Sequence, residues 1–262
     1  MDSNPSRGTV LDRVRVILCE TTHPGNIGGA ARALKTMGLS RLWLVAPTCF
    51  PHPEADARST NARDVLAQAR VCGSLAEALE GTVLACALTA RGRDLSHPVL
   101  MPRDAAPFML AQAVAGDVAL VFGREASGLT REQVGLCQRI VHIPANLDYS
   151  SLNLAAAVQI MAYELRVASE EGGVPPPKIC EPASFEEIEA FYRHLEEVMR
   201  ATRFLDPRKP RRLLQRMRRL FTRARLEKEE VSLLRGFLKT MQVQAEGVAP
   251  GPESAHGRAV VD

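Results

Sequence analysis

Side chains able to do chemistry gather in three separate turns of this 262-residue sequence. The first, Glu20-Thr-Thr-His-Pro-Gly-Asn26, runs into a helix that carries Arg32 on its early turns, with Asn26 expected at the cap. The second, Gly123-Arg-Glu-Ala-Ser-Gly128, sets Glu125 between two glycines that allow dihedrals closed to other residues. The third, Asp148-Tyr-Ser-Ser-Leu-Asn153, ends where another helix begins, with Ser151 as its expected cap. Free N–H groups and the positive dipole end at such a helix start suit an anion or a polar cofactor. Each turn also has a plainer reading: Ser and Asn are ordinary cap residues, and a lone turn carboxylate such as Glu125 is usually just solvated. Gly28 and Gly29 narrow the first helix enough for a backbone or ligand to come close, but the spacing is neither G-x-G-x-x-G nor a Walker loop. That excludes a standard dinucleotide or nucleoside-triphosphate cradle. The cysteines at 19, 49, 72, 86, 137 and 180 form no C-x-x-C pair and are spread like small buried hydrophobes, so zinc and disulfides are not indicated. His52, flanked by two prolines, reads as an exposed, inert loop residue.

The elements that must hold these turns are short apolar strands alternating with helices. Val14 to Cys19, Arg41 to Ala46, Val71-Cys72, Val83 to Leu88, Val118 to Phe122 and Ile140 to Ile143 read as strands. Helices are expected at 27–37, 61–69, 75–79, 102–115, 130–137 and 152–165, with 47–59 a long polar loop and 91–101 a mobile one. Alternation of this kind implies an α/β fold on a parallel sheet covered on both faces. In such sheets ligands bind beyond the carboxyl ends of strands, and three of those ends, Leu88-Thr89, Phe122-Gly123 and Ile143-Pro144, lead into Gly-rich or polar turns.

The net charge of +3 conceals an asymmetry. Arg200 to Arg225 holds ten arginines and one lysine against a single aspartate, a net of +10 that leaves −7 for the rest. One acid cannot pair eleven bases, so the stretch reads as an electrostatic footprint for nucleic acid. It lies in a helical segment set off by the linker Glu170 to Lys178 and opened by the capping box Ser184-Phe-Glu-Glu187. The opening MDSNPSRGTVLDR lacks a signal-peptide core and no long apolar run follows, so a cytoplasmic protein without a membrane span is expected.

Taken together, the three turns resemble the motifs of the SPOUT class of S-adenosylmethionine-dependent RNA methyltransferases. Asn26…Arg32 is similar to the first motif of its 2′-O-ribose branch, Phe122-Gly-Arg-Glu125…Gly128 to the second, and Ile143-Pro144…Ser151-Leu152-Asn153 to the third. The strings NIGGAARALKTMGL at 26–39, FGREASGLT at 122–130 and LDPRKPRRLLQRMRRLF at 205–221 resemble the members that methylate cytidine or uridine at nucleotide 32 of the tRNA anticodon loop. The resemblance implies an α/β parallel-sheet SPOUT fold with a C-terminal trefoil knot, plus a small all-α C-terminal extension. The implied boundaries are a disordered lead at 1–12, a methyltransferase domain at 13–169, a linker at 170–183, a basic tRNA-binding extension at 184–242 and a disordered tail at 243–262. It also implies an S-adenosylmethionine pocket of Leu88, Thr89, Ala90, Gly123, Ile143, Ser150, Ser151 and Leu152. Arg32 becomes the principal catalytic residue, ordered by Asn26, Glu125, Ser151 and Asn153, with no metal. The partners so implied are tRNA and a second copy, the active site being shared between subunits. Two other functions stay open: 2′-O-methylation at another site, in rRNA or at the tRNA wobble nucleotide, and RNA binding without catalysis.

Overall fold

A computed structural model describes residues 9–89, 98–146, 148, 151–171, 181–205 and 210–247. Seven strands, β1 (Val14–Cys19), β2 (Arg41–Val45), β3 (Arg70–Cys72), β4 (Thr82–Leu88), β5 (Val99–Leu100), β6 (Asp117–Phe122) and β7 (Arg139–Val141), form one sheet in the order β3-β2-β1-β6-β4-β7-β5. Every pairing is parallel. Alternate residues of a strand feed opposite cores, so Val16 and Leu18 of β1 face one and Ile17 and Cys19 the other. The first core is closed by α1 (Pro24–Thr36), α2 (Pro53–Ser59), α3 (Arg63–Ala67), α5 (Pro102–Ala113) and α7 (Leu154–Glu171). The second is closed by α4 (Leu75–Leu79), α6 (Arg131–Gly135) and Phe185, the first residue of α8 (Phe185–Ala201). Cover on both faces is why β1 and β6 are apolar almost throughout.

A third core joins α8, α9 (Pro210–Ala224) and α10 (Lys228–Gly247) around Phe191, Leu195, Val198 and Leu238. Phe191 meets the edge of the Phe221 ring at 4.8 Å between centroids. Ser184 opens α8 with the expected reciprocal cap: its hydroxyl accepts the Glu187 N–H and the Glu187 carboxylate accepts the Ser184 N–H.

Several expectations need correction. Residues 53–59 form α2 and not a loop, with Pro53 at the helix start and His52 as its cap, Nδ1 accepting the Glu54 N–H at 3.2 Å. Val99 and Leu100 are not loop but an edge strand on Ile140 and Val141, while residues 90–97 lie outside the described ones. Val10–Arg13 forms a 3-10 turn with Leu11 buried in the first core, inside what was expected as a disordered lead. Helix α1 starts at Pro24, so Asn26 is inside it and His23 is the cap, Nδ1 accepting the Gly25 N–H at 3.2 Å. Ser151 does not cap α7. Asn153 does, Oδ1 accepting from the N–H groups of Ala155 at 2.9 Å and Ala156 at 3.3 Å.

The arginine-rich stretch is also less bare than its local count suggests, because α8 lays acids across it. Arg218 forms a bidentate pair with Glu189 at 2.6 and 2.8 Å and stacks on the Tyr192 ring, and Arg200 pairs with Glu196. Arg225 turns toward the sheet domain, donating to Gln112 of α5 and lying 5.0 Å from the Phe108 ring centroid.

Candidate active site

Beyond the carboxyl ends of β4, β6 and β7 lies a cleft of about 350 Å³. All six described residues of the expected cofactor set, Leu88, Thr89, Gly123, Ile143, Ser151 and Leu152, line it. The other two, Ala90 and Ser150, lie outside the described residues. The three strand ends converge because β4 is paired on one side with β6 and on the other with β7. Its wall is completed by Phe122, Val141, Leu154 and the turn from Arg124 to Gly128, so it is an apolar slot with a polar rim. That shape and size suit a ligand with one flat apolar part and a few polar groups, such as an adenine nucleoside. The backbone itself builds the rim. The Gly128 N–H bonds the Arg124 carbonyl at 2.7 Å with Gly128 at φ +67°, and a Cβ on Gly123 would stand 2.2 Å from the Gly128 carbonyl carbon and the Leu129 nitrogen. Only glycine fits at 123.

Three polar turns meet beside this cleft. The Glu125 carboxylate accepts from the Thr22 N–H at 3.1 Å, the Thr22 hydroxyl at 3.0 Å, the His23 N–H at 3.2 Å and the Asn26 amide at 3.0 Å. The Asn26 amide oxygen in turn accepts from the Asn153 amide at 2.9 Å. Glu125, Asn26 and Asn153 are therefore one relay ending at the N-terminus of α7, and the solvated-turn reading of Glu125 does not hold. Burial alone would raise the Glu125 carboxyl's pKa, but hydrogen bonds from Asn26 and Thr22 outweigh it and hold the group below its ordinary value. Close packing of α1 on α7 makes the relay reachable: a Cβ on Gly29 would sit 2.8 Å from the Ala155 methyl carbon.

Arg32 stands apart. It is exposed, does not line the cleft of its own chain, and its side chain makes no hydrogen bond or ion pair among the described residues. Thr22 and His23, which supply three of the four bonds to Glu125, were not anticipated. No local signal marks them, because it is the pairing of Leu18 with Phe122 in the folded sheet that sets the turn after β1 against the turn after β6. Among the described residues there is no cluster of His, Cys, Asp and Glu able to hold a metal. Nor is any described helix long and apolar enough to cross a membrane.

Residues 13–163 match the SpoU rRNA Methylase family, and residues 186–250 match the C-terminal domain of the tRNA methyltransferase TrmJ. A tRNA (cytidine/uridine/adenosine-2′-O-)-methyltransferase TrmJ of Pseudomonas aeruginosa is 47% identical over 251 residues, covering 92% of this chain and 98% of its own length. A tRNA (cytidine/uridine-2′-O-)-methyltransferase TrmJ of Sodalis glossinidius is 43% identical over 252 residues, covering 95% and 99%. The crystal structure of TrmJ from Z. mobilis superposes with a TM-score of 0.77 at 36% identity, covering 87% of this chain and 98% of that one. With both segments matched and full-length relatives at this identity, the chain belongs to the SpoU methylase family and, within it, to the TrmJ tRNA methyltransferases.

Proposed function

We propose that this chain is an S-adenosylmethionine-dependent methyltransferase acting on the ribose 2′-hydroxyl of cytidine and uridine in tRNA, at nucleotide 32 of the anticodon loop. The observation that carries the reading is the single crevice where the ends of β4, β6 and β7 meet a relay joining Glu125, Asn26 and Asn153. The residues fit the methyl donor: Leu88, Ile143 and Leu152 offer apolar walls to adenine, and the glycine turn at 123 lets backbone come close. Bound there, S-adenosylmethionine supplies an electrophilic sulfonium methyl.

A ribose hydroxyl is a poor nucleophile, so positioning and electrostatics must supply most of the rate. Asn26, Glu125, Ser151 and Asn153 order the crevice. Arg32, a cation at neutral pH, stabilises the developing alkoxide and binds the adjacent phosphate. The protein acts as a homodimer in which Arg32 serves the partner's cleft; its exposure and its absence from the lining of its own chain's cleft fit that role. The proposal extends to the trefoil threading of the C-terminal part of the catalytic domain and to a cytoplasmic location. It divides the chain into a catalytic domain and a tRNA-gripping extension, with the expected bounds of 13–169 and 184–242 widened to take in Val10–Arg13, the end of α7 at Glu171 and the end of α10 at Gly247.

Nucleotide-resolved mapping of methyl transfer into bulk tRNA tests this. A 2′-O-methyl at nucleotide 32 is the expected result. Methylation elsewhere overturns the assigned position, and a folded dimer that binds no S-adenosylmethionine overturns the enzyme.

A further inference from the structure

The sequence directs attention to the eleven cations of 200–225, and three of those arginines are engaged within the chain. Arg200 is held by Glu196, Arg218 by Glu189, and Arg225 by Gln112 and the Phe108 ring. Further cations without partners among the described residues stand on α10, outside that stretch. Lys228, Ser232, Arg235 and Lys239 recur at helical spacing along one wall of an open groove of about 610 Å³, whose other wall is α8 with Glu187 and His194. Lys228 is drawn 3.3 Å from Glu181, but Arg235 and Lys239 make no hydrogen bond or ion pair among the described residues.

We propose that this groove between α8 and α10 is a track for an RNA sugar–phosphate backbone, with Arg235 and Lys239 as its phosphate contacts. The inference rests on the tRNA reading above and says where on the extension the RNA lies. Three features favour a phosphate backbone. Arg235 and Lys239 are one helical turn apart, about 6 Å along the axis, which is of the order of the separation between successive phosphates on one strand. Gly236 lies between them with nothing within 4 Å of where a Cβ would be, leaving the floor low enough for close approach. Among the described residues no Phe, Tyr or Trp lines the groove, so it offers more charge to a backbone than stacking surface to bases. Of the two acids in the groove, Glu187 is engaged at the Ser184 N–H, which leaves Glu229 as the carboxylate opposing a polyanion.

The test uses the full chain and unmodified tRNA. For the double variant Arg235→Gln/Lys239→Gln, tRNA affinity is measured across a salt series beside S-adenosylmethionine affinity and turnover at saturating tRNA. Loss of two phosphate contacts lowers the slope of log affinity against log salt by about 1.4 to 1.8 and weakens binding by about tenfold at moderate salt. KM for tRNA rises while kcat and cofactor affinity hold. Arg235→Lys retains the slope, and Glu229→Gln tightens binding. A double variant with wild-type melting, affinity and slope overturns the groove and leaves the methyltransferase reading standing. Failure of the wild-type chain to bind S-adenosylmethionine sinks that reading instead.

Discussion

Replacing Asn26 with alanine cuts the relay at its middle. The side chain makes one bond to a carboxylate, at 3.0 Å to Glu125, and one between amides, at 2.9 Å from Asn153. A bond to a charged group is worth about 1.5–3 kcal/mol and a neutral one about 0.5–1.5 kcal/mol. Asn26 is half-buried and water takes back part of each, leaving about 2 kcal/mol for the pair. That corresponds to a melting shift of roughly 4–8 °C in a chain of this size. If the same energy holds the first turn against the start of α7 in the reacting geometry, kcat/KM falls by about 30-fold. Asn153→Ala removes the same amide bond, so the double variant is less destabilised than the sum of the singles by about 0.5–1.5 kcal/mol. Thermal melts of the four-member cycle, with methyl transfer to tRNA on each member, read both quantities. Additive melting effects together with a kcat/KM within threefold of wild type would refute the relay.

Gly123→Ala drives a Cβ to 2.2 Å from backbone that cannot yield like a flexible side chain, so calorimetry detects no S-adenosylmethionine binding and stability drops by about 3 kcal/mol; wild-type affinity would show that the turn is not the cofactor rim. Arg32→Ala lowers turnover by about 10²-fold with cofactor affinity unchanged, and Arg32→Lys recovers part of it. Equal rates in all three proteins would remove Arg32 from the mechanism. Burial opposes ionisation of Glu125 and of Asp117, which is paired with Arg15 at 2.8 Å and Arg41 at 2.7 Å, but hydrogen bonding wins and both carboxyls stay below their ordinary values. A depressed folded pKa stabilises above the unfolded value and loses that stability as pH falls through the folded one. Acid titration of melting should therefore show a loss below the ordinary carboxylate range that is shallower in Glu125→Gln.

Local chemistry was readable from the chain alone. Apolar runs marked the longer strands, the capping box at Ser184 marked a helix start, and Gly128 has the positive φ that its turn requires. The same local signals were misjudged where two candidates competed: Ser151 and Asn153 both suit a cap, and packing of α7 on α1 decided for Asn153. Strand β5 escaped notice because two residues carry too little pattern to be told from a loop.

By itself the sequence determined the alternation of strand and helix, and with it the row of polar turns at one end of a parallel sheet, since those depend on neighbours a few residues apart. Which turns touch was decided only by tertiary structure. Placing β6 between β1 and β4 brings Glu125 to partners 99 to 103 residues away, and packing of α7 on α1 joins Asn153 to Asn26 across 127. Part of the charge of the extension was settled in the same way, because Glu189 on α8 reaches Arg218 on α9 only after both helices have folded over a shared core. Hydrogen bonds and ion pairs act over a few ångströms in space, and a linear window cannot see a partner that folding has yet to bring near.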